Sequence, residues 1–196
     1  INEPRDTKVN RVIEDPNGNF WMFGFAKDLD DGNKDLYLVH VSASGAVLNE
    51  YEFGTPNQES GSDLVMLPNG NLMLFGVSHP DDPADPDYFL MQVSNTGDSL
   101  WSRSYGGSAY EEAQALLRTP EGDFIMCGHS ASMAAEHNMF CVKVNGSGDV
   151  IWEKEYGGSF HDGGQAALIK AEGHYVFVAR SNGFGDNSQG GDMITA

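Results

Sequence analysis

Short apolar runs alternate with polar breaks along the whole chain, and no segment keeps the 3.6-residue apolar period of a helix. Residues 62–67, 71–78, 87–94 and 98–105 show the scheme. Their β-branched and aromatic content predicts four strands, A to D. The breaks between A and B read NGN, NGN, EGD and EGH in successive copies, and those between C and D read SASGA, SNTGD and NGSGD. Both sets suit tight hairpins, because Gly and Asn tolerate positive φ.

The scheme recurs four times. Asn17-Gly18, Asn69-Gly70, Glu121-Gly122 and Glu172-Gly173 are spaced 52, 52 and 51 residues apart. Gly24, Gly76 and Gly128 keep the same rhythm, with Ala179 in the fourth copy. Gly45, Gly97 and Gly148 follow it, as do Phe53-Gly54, Tyr105-Gly106 and Tyr156-Gly157. Asp35, Asp87, Asn138 and Asp192 each open an apolar run. A period near 50 belongs to the range of propeller blades. A four-stranded antiparallel unit with two apolar faces cannot bury both alone, and radial stacking solves this. The expected fold is therefore all-β, a β-propeller of four-stranded antiparallel blades. The blades span approximately 8–54, 55–107, 108–158 and 159–196, the last without strand D. Residues 1–7 read as a polar linker in register with a loop. Three full blades plus a partial fourth suggest one piece of a larger ring of roughly six to eight blades. A closed four-bladed ring is the alternative, and it would leave an outer edge unpaired.

At 196 residues one domain is expected. The net charge of −18, with 11 basic residues, argues against nucleic acid and anionic membranes as partners. It suits cations, a basic protein or a saline medium. No run is apolar enough for a membrane helix, so direct membrane insertion is not expected, although a lipid anchor outside these residues fits. The chain opens at Ile1, so any targeting segment is expected to have been removed or to lie outside it. Cys127 and Cys141 fall on strands B and C of the third copy, opposite each other if 130 pairs with 138. The matching pairs, Phe23 with Leu38 and Phe75 with Leu90, read as core. Two buried thiols and a cross-strand disulfide are both open, the latter implying an oxidising compartment.

The longer loops carry the acids. KDLDDGNKD holds Asp28, Asp30, Asp31 and Asp35, but Gly32 breaks the EF-hand spacing, leaving a looser calcium site of structural role as an option. HPDDPADPD holds Asp81, Asp82, Asp85 and Asp87 between prolines that stiffen it. Antiparallel alternation brings the B–C and D–A loops out at one face. Asp28, Asp30, Asp31, Glu59, Asp63, Asp81, Asp82, Asp85, Glu111, Glu112, Asp162 and Asp186 collect there as the candidate binding face. Glu59, Glu111 and Asp162 share one register, which also fits acids that brace their own loops. No catalytic residue is assigned. The histidines at 40, 79, 129, 137, 161 and 174 show no H-x-x-x-H or H-E-x-x-H pair, so zinc is not expected. His129 and His137 flank one loop and read as exposed. Neither G-x-S-x-G nor a phosphate loop is present. Trp101 and Trp152, equivalent on strand D, are expected to pack between blades.

The motifs YGG-S-x-x-[DE], [DE]-G-x-[FY], G-x-[ST], D-x-[FY]-[LV] and G-D-x-x-W together resemble propeller-forming repeats of secreted and surface lipoproteins from Bacteroidetes-type bacteria. The resemblance covers nearly the whole chain and departs in the fourth copy, at Ala179 and the missing strand D. It implies an extracellular binding or assembly module. VSNTGDSLW and VNGSGDVIW also look like the tryptophan-docking motif of quinoprotein propellers, without its Asp. The resulting expectation is a non-catalytic, extracytoplasmic scaffold that binds protein partners in a cell-surface, outer-membrane or periplasmic assembly. The alternative is a glycan-binding or glycan-cleaving propeller, with Asp81, Asp85, Glu111 or Asp162 as acid and base.

Overall fold

The computed structural model describes residues 5–79, 85–132, 137–157, 161–170, 174–181 and 193–195. The elements there are strands joined by turns, grouped in four antiparallel sheets. The first holds β1 (Arg5–Glu14), β2 (Phe20–Asp28), β3 (Lys34–Val41) and β4 (Val47–Phe53). The second holds β5 (Glu59–Met66), β6 (Leu72–Ser78), β7 (Asp87–Val93) and β8 (Ser99–Tyr105). The third holds β9 (Glu111–Arg118), β10 (Phe124–Ser130), β11 (Asn138–Val144) and β12 (Val150–Tyr156). The fourth holds β13 (Asp162–Ile169), β14 (Tyr175–Ser181) and β15 (Met193–Thr195). Strand order follows chain order in every sheet. The expected strands of the second copy match β5 to β8 within a few residues. β1 starts earlier than its repeat predicts, because Arg5, Asp6 and Thr7 pair with Asp28, Lys27 and Ala26. The chain divides into two compact units, Ile1–Ser104 and Tyr105–Ala196.

Hairpin turns close one end of each of the first three sheets. Gly18, Gly45, Gly70, Gly97, Gly122 and Gly148 all have positive φ there. In each turn the glycine N–H bonds the carbonyl three residues back, as Gly70 does to Leu67 at 2.9 Å. This left-handed position is what makes glycine recur at the turn register.

A second recurring glycine has a different cause. The first strand of every sheet carries a one-residue bulge, at Asn10, Ser62, Gln114 and Gln165. Beside the first two bulges the backbone of that strand lies close against a glycine of its neighbour. A Cβ on Gly76 would overlap the Ser60 carbonyl oxygen and lie 3.0 Å from Gly61 Cα. Gly24 faces Lys8 and Val9 in the same way.

Strand alternation places apolar side chains of β2 and β3 on both faces of the first sheet. Trp21, Phe23, Leu36 and Leu38 face one way and pack with Leu64, Leu72, Leu74, Met91 and Val93 of the second sheet. Ala26, Tyr37, Val39 and Val41 face the other. In the second unit, Ile125, Cys127, Met139 and Cys141 pack with Phe177 and Ala179, with Trp152 at the border. Trp101 is half-buried and donates from Nε1 to Gln92 Oε1 at 2.6 Å.

Cys127 and Cys141 are directly opposed on β10 and β11, as the register predicts. Both are free, buried thiols, so the disulfide alternative is not the state of this structure. The Cys127 hydrogen bond and burial raise the Cys141 pKa far above its ordinary value.

Candidate functional site at the loop ends

In each complete sheet, the loop between the second and third strands lies at the end opposite the glycine turns. The chain enters the first strand at that same end. The repeated acid sits there, but not at the surface. Glu59 is 2 % exposed and Glu111 and Asp162 are each 1 % exposed. Glu59 Oε1 accepts from Thr55 Oγ1 at 2.8 Å and Ser78 Oγ at 3.0 Å, and Oε2 accepts from Thr55 N at 3.1 Å. Glu111 Oε1 accepts from Ser130 Oγ at 2.7 Å and Ser132 Oγ at 2.6 Å. A Cβ on Gly157 would lie 2.9 Å from Asp162 Oδ2. Glu59, Glu111 and Asp162 are therefore removed from the candidate binding face. A desolvated carboxylate at this register needs donors, and for Glu59 and Glu111 the hydroxyls of the same loop end supply them. The same burial removes Glu111 and Asp162 as acid–base candidates open to a glycan.

The other predicted face residues divide. Asp30 and Asp31 are exposed on the β2–β3 loop, with Asp28 half-buried at its root. The loop is internally braced: Asp28 Oδ1 accepts from Asp30 N at 2.6 Å, and Asp31 Oδ1 accepts from Asn33 N at 2.8 Å. Asn33 Nδ2 also donates to Thr55 O at 3.2 Å. Asp85 is half-buried before β7. Asp63 faces Arg11 Nε at 2.9 Å, which ties β5 to β1. Asp81, Asp82 and Asp186 lie outside the described residues.

The convergence that the sequence did not announce is made of histidines. His129, His137 and His161 are half-buried, and one nitrogen from each lies within 4.8 Å of the other two. Among the described residues this is the one group of three His, Cys, Asp or Glu side chains whose ligand atoms converge this closely. His129 is the penultimate residue of β10, His137 precedes β11 and His161 precedes β13. The His137 and His161 rings stack at 4.7 Å, and the His129 and His161 rings meet edge to face at 5.7 Å. Gly163 makes room, since a Cβ there would lie 2.6 Å from His129 Cδ2. Burial lowers the His129 pKa from its ordinary value, opposed by Glu112 and assisted by His161 and His137, which favours the neutral imidazole. His129 and His137 are thus not the exposed loop residues expected.

Motif spacing missed this group because its members come from two sheets. Repeat register marks the three positions as departures from the other copies but does not show that they meet. The equivalent positions are Phe25 and Lys34 of the first copy with Gln58 at the start of the second, and Val77 and Pro86 of the second copy with Tyr110 at the start of the third. Histidine stands at all three in the next repeat, at 129 and 137 of the third copy and 161 at the start of the fourth.

No family model matches the chain, and no curated protein does. Solved structures do match. A Bacteroides caccae protein of unknown function aligns at a TM-score of 0.56 and 13% identity, over 96% of this chain and 62% of its own. A candidate exo-β-1,3-galactanase of Bifidobacterium bifidum aligns at 0.55 and 8%, over 94% of this chain and 65% of its own. The likeness is one of fold. The chain spans less than two thirds of the length of either protein. PorZ, a surface component of the type-IX secretion system of Porphyromonas gingivalis, aligns at 0.48 and 13%, over 89% of this chain and 25% of its own.

Proposed function

We propose that the chain forms successive blades of a β-propeller and serves as a non-catalytic, extracytoplasmic module that binds a protein partner with its loop ends. One observation carries this reading. The sheets repeat the same glycine turns at one end, whereas the loops at the other end differ in every copy: KDLDDGNKD, HPDDPADPD, SASMAAEHN and SNGFGDNSQGGD. A constant scaffold with one varied end is the arrangement of a recognition surface. The acidic loops and the net charge of −18 favour a basic partner surface. Val9 and Val12 of β1 are 44 % and 51 % exposed, where the equivalent strands β5 and β9 are largely buried. A further sheet of the same kind would cover them, which supports membership in a larger propeller.

The glycan reading remains the second one, favoured by the structural likeness to the galactanase candidate. One experiment separates them. The native protein is cross-linked, isolated from its source and weighed together with its companions, and the same chain is applied to a glycan array. Stoichiometric protein companions are expected. They should be lost from the Asp30→Asn, Asp31→Asn variant at unchanged melting temperature. Glycan binding without companions would replace the partner reading with the glycan one, and the absence of both companions and glycan binding would overturn both.

A further inference from the structure

We infer that His129, His137 and His161 form a binding site for one divalent first-row transition ion, with zinc as the fitting occupant. This stands apart from the partner reading and does not need it. The three ligand nitrogens already lie within 4.8 Å of one another. Around zinc, with Zn–N bonds of about 2.0–2.1 Å, tetrahedral nitrogens sit about 3.4 Å apart. Binding would therefore draw the nitrogens together by up to about 1.4 Å. Imidazole donors suit zinc, copper and nickel, whereas calcium and magnesium take oxygens.

Two further observations point to a ligand and not only to a ring stack. His137 Nδ1 is buried without a hydrogen-bond partner among the described residues, a position that stacking alone leaves uncompensated. Glu112 Oε2 lies 4.0 Å from His129 Nδ1 and accepts from Tyr110 Oη at 3.1 Å, while Glu112 Oε1 accepts from Gln114 Nε2 at 2.7 Å. A fixed carboxylate beside a ligand histidine is the usual outer-shell orienter of a metal site. The ion would join the β10–β11 hairpin to the start of β13 and so staple the third sheet to the fourth. Three protein ligands leave a fourth position for water or an incoming donor. The three histidines lie at the end of the third sheet where β10 leads into β11.

The test is titration of zinc chloride into the chelator-treated full chain, followed by calorimetry. One zinc per chain is expected, with a raised melting temperature and no comparable response to calcium or magnesium. His129→Ala, His137→Ala and His161→Ala should each weaken binding at least about tenfold, and Glu112→Gln by about 10–100-fold. His174→Ala, exposed before β14, should leave it unchanged. Imidazole 15N–1H spectra of the unaltered chain guard against variants that fail to fold. Zinc should move the signals of residues 129, 137 and 161 and leave those of 40, 79 and 174 in place. Absence of one-to-one binding, retention in all three alanine variants, or movement of the other histidines would overturn the assignment.

Discussion

Glu59 and Glu111 lie at one register in successive sheets, each nearly sealed from water and each collecting hydroxyl donors. Removing such an acceptor strands its donors, which costs more than the bond itself contributes. Glu59→Ala is therefore expected to destabilise the fold by about 1–3 kcal/mol. Asp30→Ala, on an exposed loop, should stay within about 0.5 kcal/mol of wild type. Urea unfolding of both variants checks the contrast, and equal effects would return Glu59 to the binding face. At this scale the sequence showed that an acid recurs but not which way it points. A carboxylate bracing a loop and one awaiting a partner are written with the same letter. The cysteine pair was more legible, because hairpin register placed Cys127 opposite Cys141 and their repeat equivalents are core residues.

The strand and turn elements were legible almost throughout. Alternation and glycine turns are local, and hairpins place sequence neighbours side by side. Two recurring glycines nevertheless do different work. Gly45 needs positive φ and has open space around it, so Gly45→Ala should cost about 1–2 kcal/mol through the backbone alone. Gly76 has no such dihedral but faces the bulged β5 backbone. Gly76→Ala must displace a paired strand, with an expected cost of about 1–3 kcal/mol of overpacking and slowed amide-exchange protection lost along β5 and β6. Hydrogen exchange distinguishes the two cases, since only the second should loosen both strands. The bulge itself was invisible in the sequence, because Asn10, Ser62, Gln114 and Gln165 share polarity but no single residue type.

At the scale of the molecule, charge is the dominant sequence property. A net charge of −18 on 196 residues repels itself most in the compact state. Added sodium chloride screens that repulsion over about 10 Å at 0.1 M. The melting temperature is therefore expected to rise with salt in the low-salt range. A fall would show that ion pairs such as Arg11 with Asp63 and Lys143 with Asp123 outweigh the general repulsion.

The sequence by itself determined the four copies, the strand order within each, the turns and the opposed cysteines. These follow from periodicity and from contacts between neighbours in the chain. Only the tertiary structure decided that Glu59, Glu111 and Asp162 are interior, and that His129, His137 and His161 meet. Burial depends on what packs over a loop, and the histidine group joins one hairpin to the start of the next sheet. Neither spacing nor composition encodes a contact made by sheet packing.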